Sequence, residues 1–73
     1  MSDLIGNALQ FSAVKHAGQI RKRTDIPYIT HPVGVAFILQ REDQRDEVIA
    51  AGLLHDTLED TDTSEEELLE LFG

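Results

Sequence analysis

Residues 51–61 read "AGLLHDTLEDT", which places His55-Asp56 and Glu59-Asp60 within one short apolar stretch. On a helix that advances about 100° per residue, Glu59 falls about 40° from His55, Asp56 about 100° and Asp60 about 140°. These four ionisable groups therefore share one face, with Leu53, Leu54, Thr57 and Leu58 on the other. Ala51 and Gly52, one turn back, predict open space beneath the polar stripe. Three carboxylates so close repel one another, and one must be protonated or neutralised unless a cation sits among them.

A divalent metal would resolve that repulsion. Imidazole and carboxylate are donors that suit manganese, iron or zinc. The chain has no cysteine, so any metal must be held by His, Asp or Glu. A second histidine, His31, comes from the loop "YITHP" beside a rigid proline, and with His55 and Asp56 makes three candidate ligands. Taken alone, this helix supports a second reading equally, a solvated acidic face at a helix end. His16 reads as a packing or hydrogen-bonding histidine rather than a ligand.

With 73 residues the chain is at most one domain, and so small a core is marginal without a metal or a partner. The formal charge of −8 argues against general affinity for nucleic acid or anionic membrane. Lys15, Arg21, Lys22 and Arg23 nevertheless cluster, leaving only Arg41 and Arg45 elsewhere. The cluster either receives an anionic ligand or complements the dipole of a last helical turn. No apolar run approaches the roughly 18 residues of a membrane span, and "MSDLIGNALQ" lacks the features of a secretory signal. The expected location is cytoplasmic.

The elements that must carry these groups are helical. Leu4, Ile5, Ala8, Leu9, Ser12, Ala13, His16 and Ile20 recur at three- and four-residue spacing, predicting one amphipathic helix from Asp3 to Arg23. "TDIPYITHP" breaks it with two prolines, and Pro32 suits the first turn of a second helix, "PVGVAFILQRE". "DQRDEVIAAGLLHDTLED" reads as a third. The fourth opens on a capping box of Thr63 and Glu66, carries Leu68, Leu69, Leu71 and Phe72 on its apolar side, and ends at Gly73. The expected class is all-α, about four helices.

Two long stretches, "HAGQIRKRTDIPYITHPVGVAFIL" and "AAGLLHDTLEDTDTSEEELLELFG", resemble the hydrolase domain of the RelA/SpoT family, above all its small single-domain alarmone hydrolases. These belong to the HD-domain superfamily of metal-dependent phosphohydrolases. Four motifs recur in order: His-x-Gly-Gln-x-Arg-Lys, Pro-Tyr-Ile-x-His-Pro, His-Asp and Glu-Asp-Thr. The resemblance implies an HD-type helical bundle that removes the 3′-diphosphate from guanosine tetra- or pentaphosphate, with manganese as the usual metal. Carried over by position, His31, His55 and Asp56 match metal ligands, and Glu59 and Asp60 match the catalytic acidic pair. Arg21 matches an arginine lying against the guanine, and Lys22 a neighbouring substrate contact.

Between Lys22 and Pro27 the sequence departs from the Ser-Gly-Glu of many long family members. The family also completes its metal site with an aspartate well beyond the His-Asp helix. Residues 1–73 are therefore expected to be the N-terminal part of an HD-type phosphohydrolase domain, incomplete at its C-terminus, with the activity expected of the parent protein and not of these 73 residues alone. Apolar faces left bare would be covered by self-association, as a dimer or a domain-swapped form. Two alternatives stand beside the alarmone hydrolase: an HD phosphohydrolase acting on another nucleotide, and a truncated, non-catalytic module that binds nucleotide or partner chains.

Overall fold

A computed structural model describes residues 3–73. Its helices are α1 (Asp3–Lys15), α2 (Thr30–Arg41), α3 (Asp46–Leu54), α4 (Thr57–Asp60) and α5 (Glu65–Phe72). The class is all-α as expected, with four longer helices and the single turn of α4. Among the described residues none is long and apolar enough to cross a membrane.

The most apolar segment, α3, is the centre of the bundle and packs against both α1 and α2. Ala8 of α1 meets Ala50 and Leu53 of α3 in the core, and Leu4, Ile5, Leu9, Val33, Ala36, Leu54 and Phe72 pack around them. Small residues let these helices come close. Gly52 is the closely packed one of the glycines: a Cβ there would lie 2.8 Å from Leu39 Cδ1 and 3.3 Å from Val35 Cγ1. The space expected beneath the polar stripe is thus filled by α2 at Gly52. From the other side, α5 reaches α1 through an edge-to-face contact of Phe11 and Phe72, with ring centroids 5.5 Å apart. Lys15 supports it, with its Nζ 3.3 Å from Glu67 and 3.6 Å from Asp62.

Three local expectations are corrected. The first helix stops at Lys15, not Arg23, because the chain turns through Gly18 at φ 86°. Residues 19–28 then fold back on themselves: Tyr28 N–H donates to the Gln19 carbonyl at 2.8 Å and Arg21 N–H to that of Ile26 at 2.9 Å. Arg21 and Lys22 consequently lie in a tight loop and not in a last helical turn, and Ile20 is exposed. Second, the predicted third helix begins late and breaks. Asp43, at φ 58°, belongs to the turn after α2. Further on, Thr57 turns its hydroxyl back onto the Leu54 carbonyl at 2.7 Å, which competes with continuous helical bonding. Third, α5 is capped by Ser64, whose Oγ accepts from Glu67 N–H at 3.1 Å. Thr63 is buried and bonded to Thr61, so the cap lies one residue later than the box of Thr63 and Glu66. Leu69 and Leu71 of α5 are exposed, while Leu68 and Phe72 are half-buried.

The glycines give a paired test. Gly34 in α2 has open space around a notional Cβ, so Gly34→Ala should gain up to about 1 kcal/mol from helix propensity alone. Gly52→Ala makes the same local gain but forces Leu39 aside. With overpacking at about 1–3 kcal/mol, it should be net destabilising by about 1 kcal/mol. Urea unfolding of both variants checks the pair, and equal shifts would contradict this packing.

Candidate metal and acid–base site

The loop after α1, the first turn of α2 and the α3–α4 junction converge at one end of the bundle. His31 sits in the first turn of α2, one residue before the buried Pro32, and not in a loop. Pro32 is placed where a helix leaves N–H groups without partners, so its missing donor costs nothing. His55 and Asp56 form the junction itself. Asp56 keeps a right-handed backbone, at φ −82° and ψ −8°, and its carboxylate faces Tyr28 of the loop.

That carboxylate is the meeting point. It is 14% exposed; His31 Nε2 lies 3.4 Å from its Oδ2 and His55 Nε2 3.8 Å from its Oδ1. The Tyr28 hydroxyl donates to Oδ2 at 2.8 Å and also lies 3.2 Å from Asp60 Oδ2. The backbone of Asp60 is tied separately, its carbonyl accepting from Gln19 Nε2 at 2.6 Å. Gln19 in turn meets His16 Nδ1 through its Oε1 at 2.9 Å. His16 is 2% exposed and tilted against the Tyr28 ring, so it serves as the packing and hydrogen-bonding histidine its position suggested.

His31, His55, Asp56 and Asp60 are therefore drawn together, the last through Tyr28. Among the described residues, no group of three such donors is arranged as it stands to hold an ion. The donor types available around Asp56, two imidazoles and a carboxylate, are those that manganese, iron and zinc accept. Glu59 is exposed on α4, outside the hydrogen bonds and ion pairs that join this group. The side chains of Arg21 and Lys22 are likewise exposed, in the loop whose base Gln19 and Tyr28 fasten to the site. Leu58, expected on the apolar side, is exposed because the helix breaks before it.

Sequence reasoning singled out neither Tyr28 nor Gln19. Their only signal was membership of the two motifs, since hydrogen bonds across 28 and 41 residues leave no periodicity.

Burial raises the Tyr28 phenol above its ordinary pKa of 10.0, helped by hydrogen bonding and charge from Asp56 and then Asp60. The fold thus favours the neutral phenol. Its stabilisation is complete below the unfolded pKa and is lost as pH rises toward the higher folded one. Tyr28 is the chain's one tyrosine, so absorbance at phenolate wavelengths follows it alone. In chelator-treated protein it should remain mostly un-ionised at pH about 10.5, where unfolded chain in urea is mostly ionised. Coincident titrations would contradict the geometry.

A family model described as HD domain matches residues 8–73. The chain is 53% identical over 68 residues to guanosine-3′,5′-bis(diphosphate) 3′-pyrophosphohydrolase MESH1 of Danio rerio, covering 89% of this chain and 38% of that one. It is 51% identical over 71 residues to a GTP pyrophosphokinase of Myxococcus xanthus, covering 97% of this chain and 9% of the other. A solved structure of a metazoan ortholog of SpoT, described as hydrolysing ppGpp and acting in starvation responses, superposes with a TM-score of 0.92 at 41% identity. That superposition covers all of this chain and 43% of that one. The chain thus spans less than half the length of each of these relatives.

Proposed function

The chain belongs to the HD-domain family, and from that premise we propose that it forms the N-terminal part, residues 1–73, of a metal-dependent (p)ppGpp 3′-pyrophosphohydrolase domain. The substrate would be guanosine tetra- or pentaphosphate, and the leaving product pyrophosphate. The observation that carries this reading is the approach of His31 and His55 to opposite oxygens of one shielded carboxylate, Asp56. The names of the MESH1 and SpoT relatives support the substrate class.

In this reading His31, His55 and Asp56 would hold a divalent ion, manganese by preference. Once bound, such an ion lowers the pKa of a water and polarises a phosphoryl oxygen. Glu59, exposed and four residues beyond His55, accepts the proton of the attacking water. Asp60, fixed at its carbonyl by Gln19, completes the acidic pair. Arg21 covers the purine face by stacking and cation–π contact. Lys22 meets a phosphate as a point charge. The loop 19–28 brings both cations to a site that is otherwise acidic, which suits a polyanionic nucleotide. The excess of negative charge elsewhere argues against nucleic acid and anionic membranes as partners. A soluble nucleotide substrate suits a reaction in the cytoplasm.

Val14, Phe37, Leu69 and Leu71 expose large apolar surfaces, which supports self-association as a dimer or domain-swapped form. Sedimentation at micromolar concentration should therefore show a species larger than the monomer, and a compact monomer would overturn that assignment.

Activity is tested by incubating the protein with guanosine tetraphosphate and manganese, with and without chelator, while following pyrophosphate. Release should be abolished by chelator, and Glu59→Gln should lower kcat about 100-fold or more if it is the base. Release that ignores the chelator, or a Glu59→Gln variant with unchanged kcat, would contradict this mechanism.

A further inference from the structure

Tyr28 occupies a position that none of the assigned roles uses. Its ring is held between two histidines: His16 at a centroid distance of 4.8 Å and an interplanar angle of 35°, and His31 edge-on at 5.8 Å and 61°. So held, the hydroxyl reaches two carboxylates at once, Asp56 Oδ2 at 2.8 Å and Asp60 Oδ2 at 3.2 Å. A phenol has one proton, and an ionised carboxylate has none to give. Tyr28 can make one full donation, and the shorter distance assigns it to Asp56.

The accepting oxygen is the one that faces His31, at 3.4 Å from its Nε2. A cation shared by His31 and Asp56 would draw electron density from that oxygen and make it a poorer acceptor. Asp60 Oδ2 is already within range, so a rotation about the C–O bond of the phenol suffices to change partners. The Asp60 backbone is meanwhile anchored through Gln19, leaving only its carboxylate to respond.

We propose that Tyr28 is a positioning residue that passes its one hydrogen bond from Asp56 to Asp60 when the His31–Asp56 centre is filled. This couples occupancy of the centre to orientation of the acidic pair. The kinetic consequence rests on the function proposed above; the hydrogen-bond transfer itself does not.

Tyr28 is the chain's one tyrosine and there is no tryptophan, so tyrosine absorption reports this hydroxyl directly. The probe is Zn²⁺, which is closed-shell and leaves the spectrum otherwise untouched. Titrating it into the protein should give a saturable tyrosine difference spectrum with the midpoint found by calorimetry. In Asp60→Asn, where the second acceptor is uncharged, that spectrum should differ. Tyr28→Phe keeps both ring contacts and should bind Zn²⁺ within about threefold of the parent, because one hydrogen bond is lost from each state. A fixed support of a metal-ligating carboxylate would instead cost about 10- to 100-fold on removal.

With manganese and guanosine tetraphosphate, Tyr28→Phe should lower kcat tenfold or more and leave KM within threefold. An unchanged tyrosine spectrum at zinc saturation would overturn the inference. So would the same spectral change in Asp60→Asn, absence of zinc binding by the parent, or a Tyr28→Phe affinity lower by tenfold or more. If Tyr28→Phe fails to fold by circular dichroism, the parent and Asp60→Asn titrations decide. Zinc-dependent tyrosine changes in a parent protein that releases no pyrophosphate would uphold the transfer and remove the functional reading.

Discussion

A carboxylate withdrawn from water must be met by donors or by charge. Asp56 is largely shielded, and the fold brings it the Tyr28 phenol and the His31 imidazole from one distant stretch, beside the imidazole of its own neighbour His55. That requirement accounts for much of the architecture. The chain must turn sharply after α1 to place Tyr28, α2 must begin early enough to hold His31 in its first turn, and α3 must break at the aspartate. The apolar work of folding is done elsewhere, by Ala8, Ile49, Ala50 and Leu53, and it leaves this end of the bundle free for polar groups.

Some of this was legible from the residues. Helical periodicity located α1, α2 and α3, which pack on one another, while α5, without a fully buried residue, was marked by its cap and Gly73. His16 was readable as a packing histidine from its place among apolar positions. What misled was punctuation weaker than the periodic signal. The pattern through Ile20 ran past Gly18, yet a positive φ there ends the helix and sends Ile20 into the loop. Thr63 and Ser64 are both cap-forming types, serine the better, and in the structure Ser64 caps while Thr63 is buried. The break at His55–Asp56 had only a weak signal in helix propensity, the run of His55, Asp56 and Thr57. It follows from tertiary demand on Asp56 and from Thr57 bonding backward.

The polar groups were legible as types and spacings, while the network joining them was not. A wheel places His55, Asp56, Glu59 and Asp60 on one face of an unbroken helix. In the structure Asp56 turns inward, His55 and Glu59 stay exposed, and Asp60 is tied back through its backbone. This separation suits different tasks: an inward carboxylate can be a fixed ligand, and an outward one can exchange protons with water. Gln19 and Tyr28 make the separation possible, and both belong to the loop that carries Arg21 and Lys22. The loop cations and the clustered carboxylates are thereby fastened to one frame.

The central claim is that His31 and His55, but not His16, are the imidazoles of a metal centre built on Asp56. Long-range ¹H–¹⁵N NMR of the three histidines, with and without Zn²⁺, reads it directly. The account predicts large ¹⁵N shifts at Nε2 of His31 and His55 at one equivalent of zinc, with the His16 ring nearly unchanged. Shifts confined to one exposed histidine, or a response from His16, would contradict it.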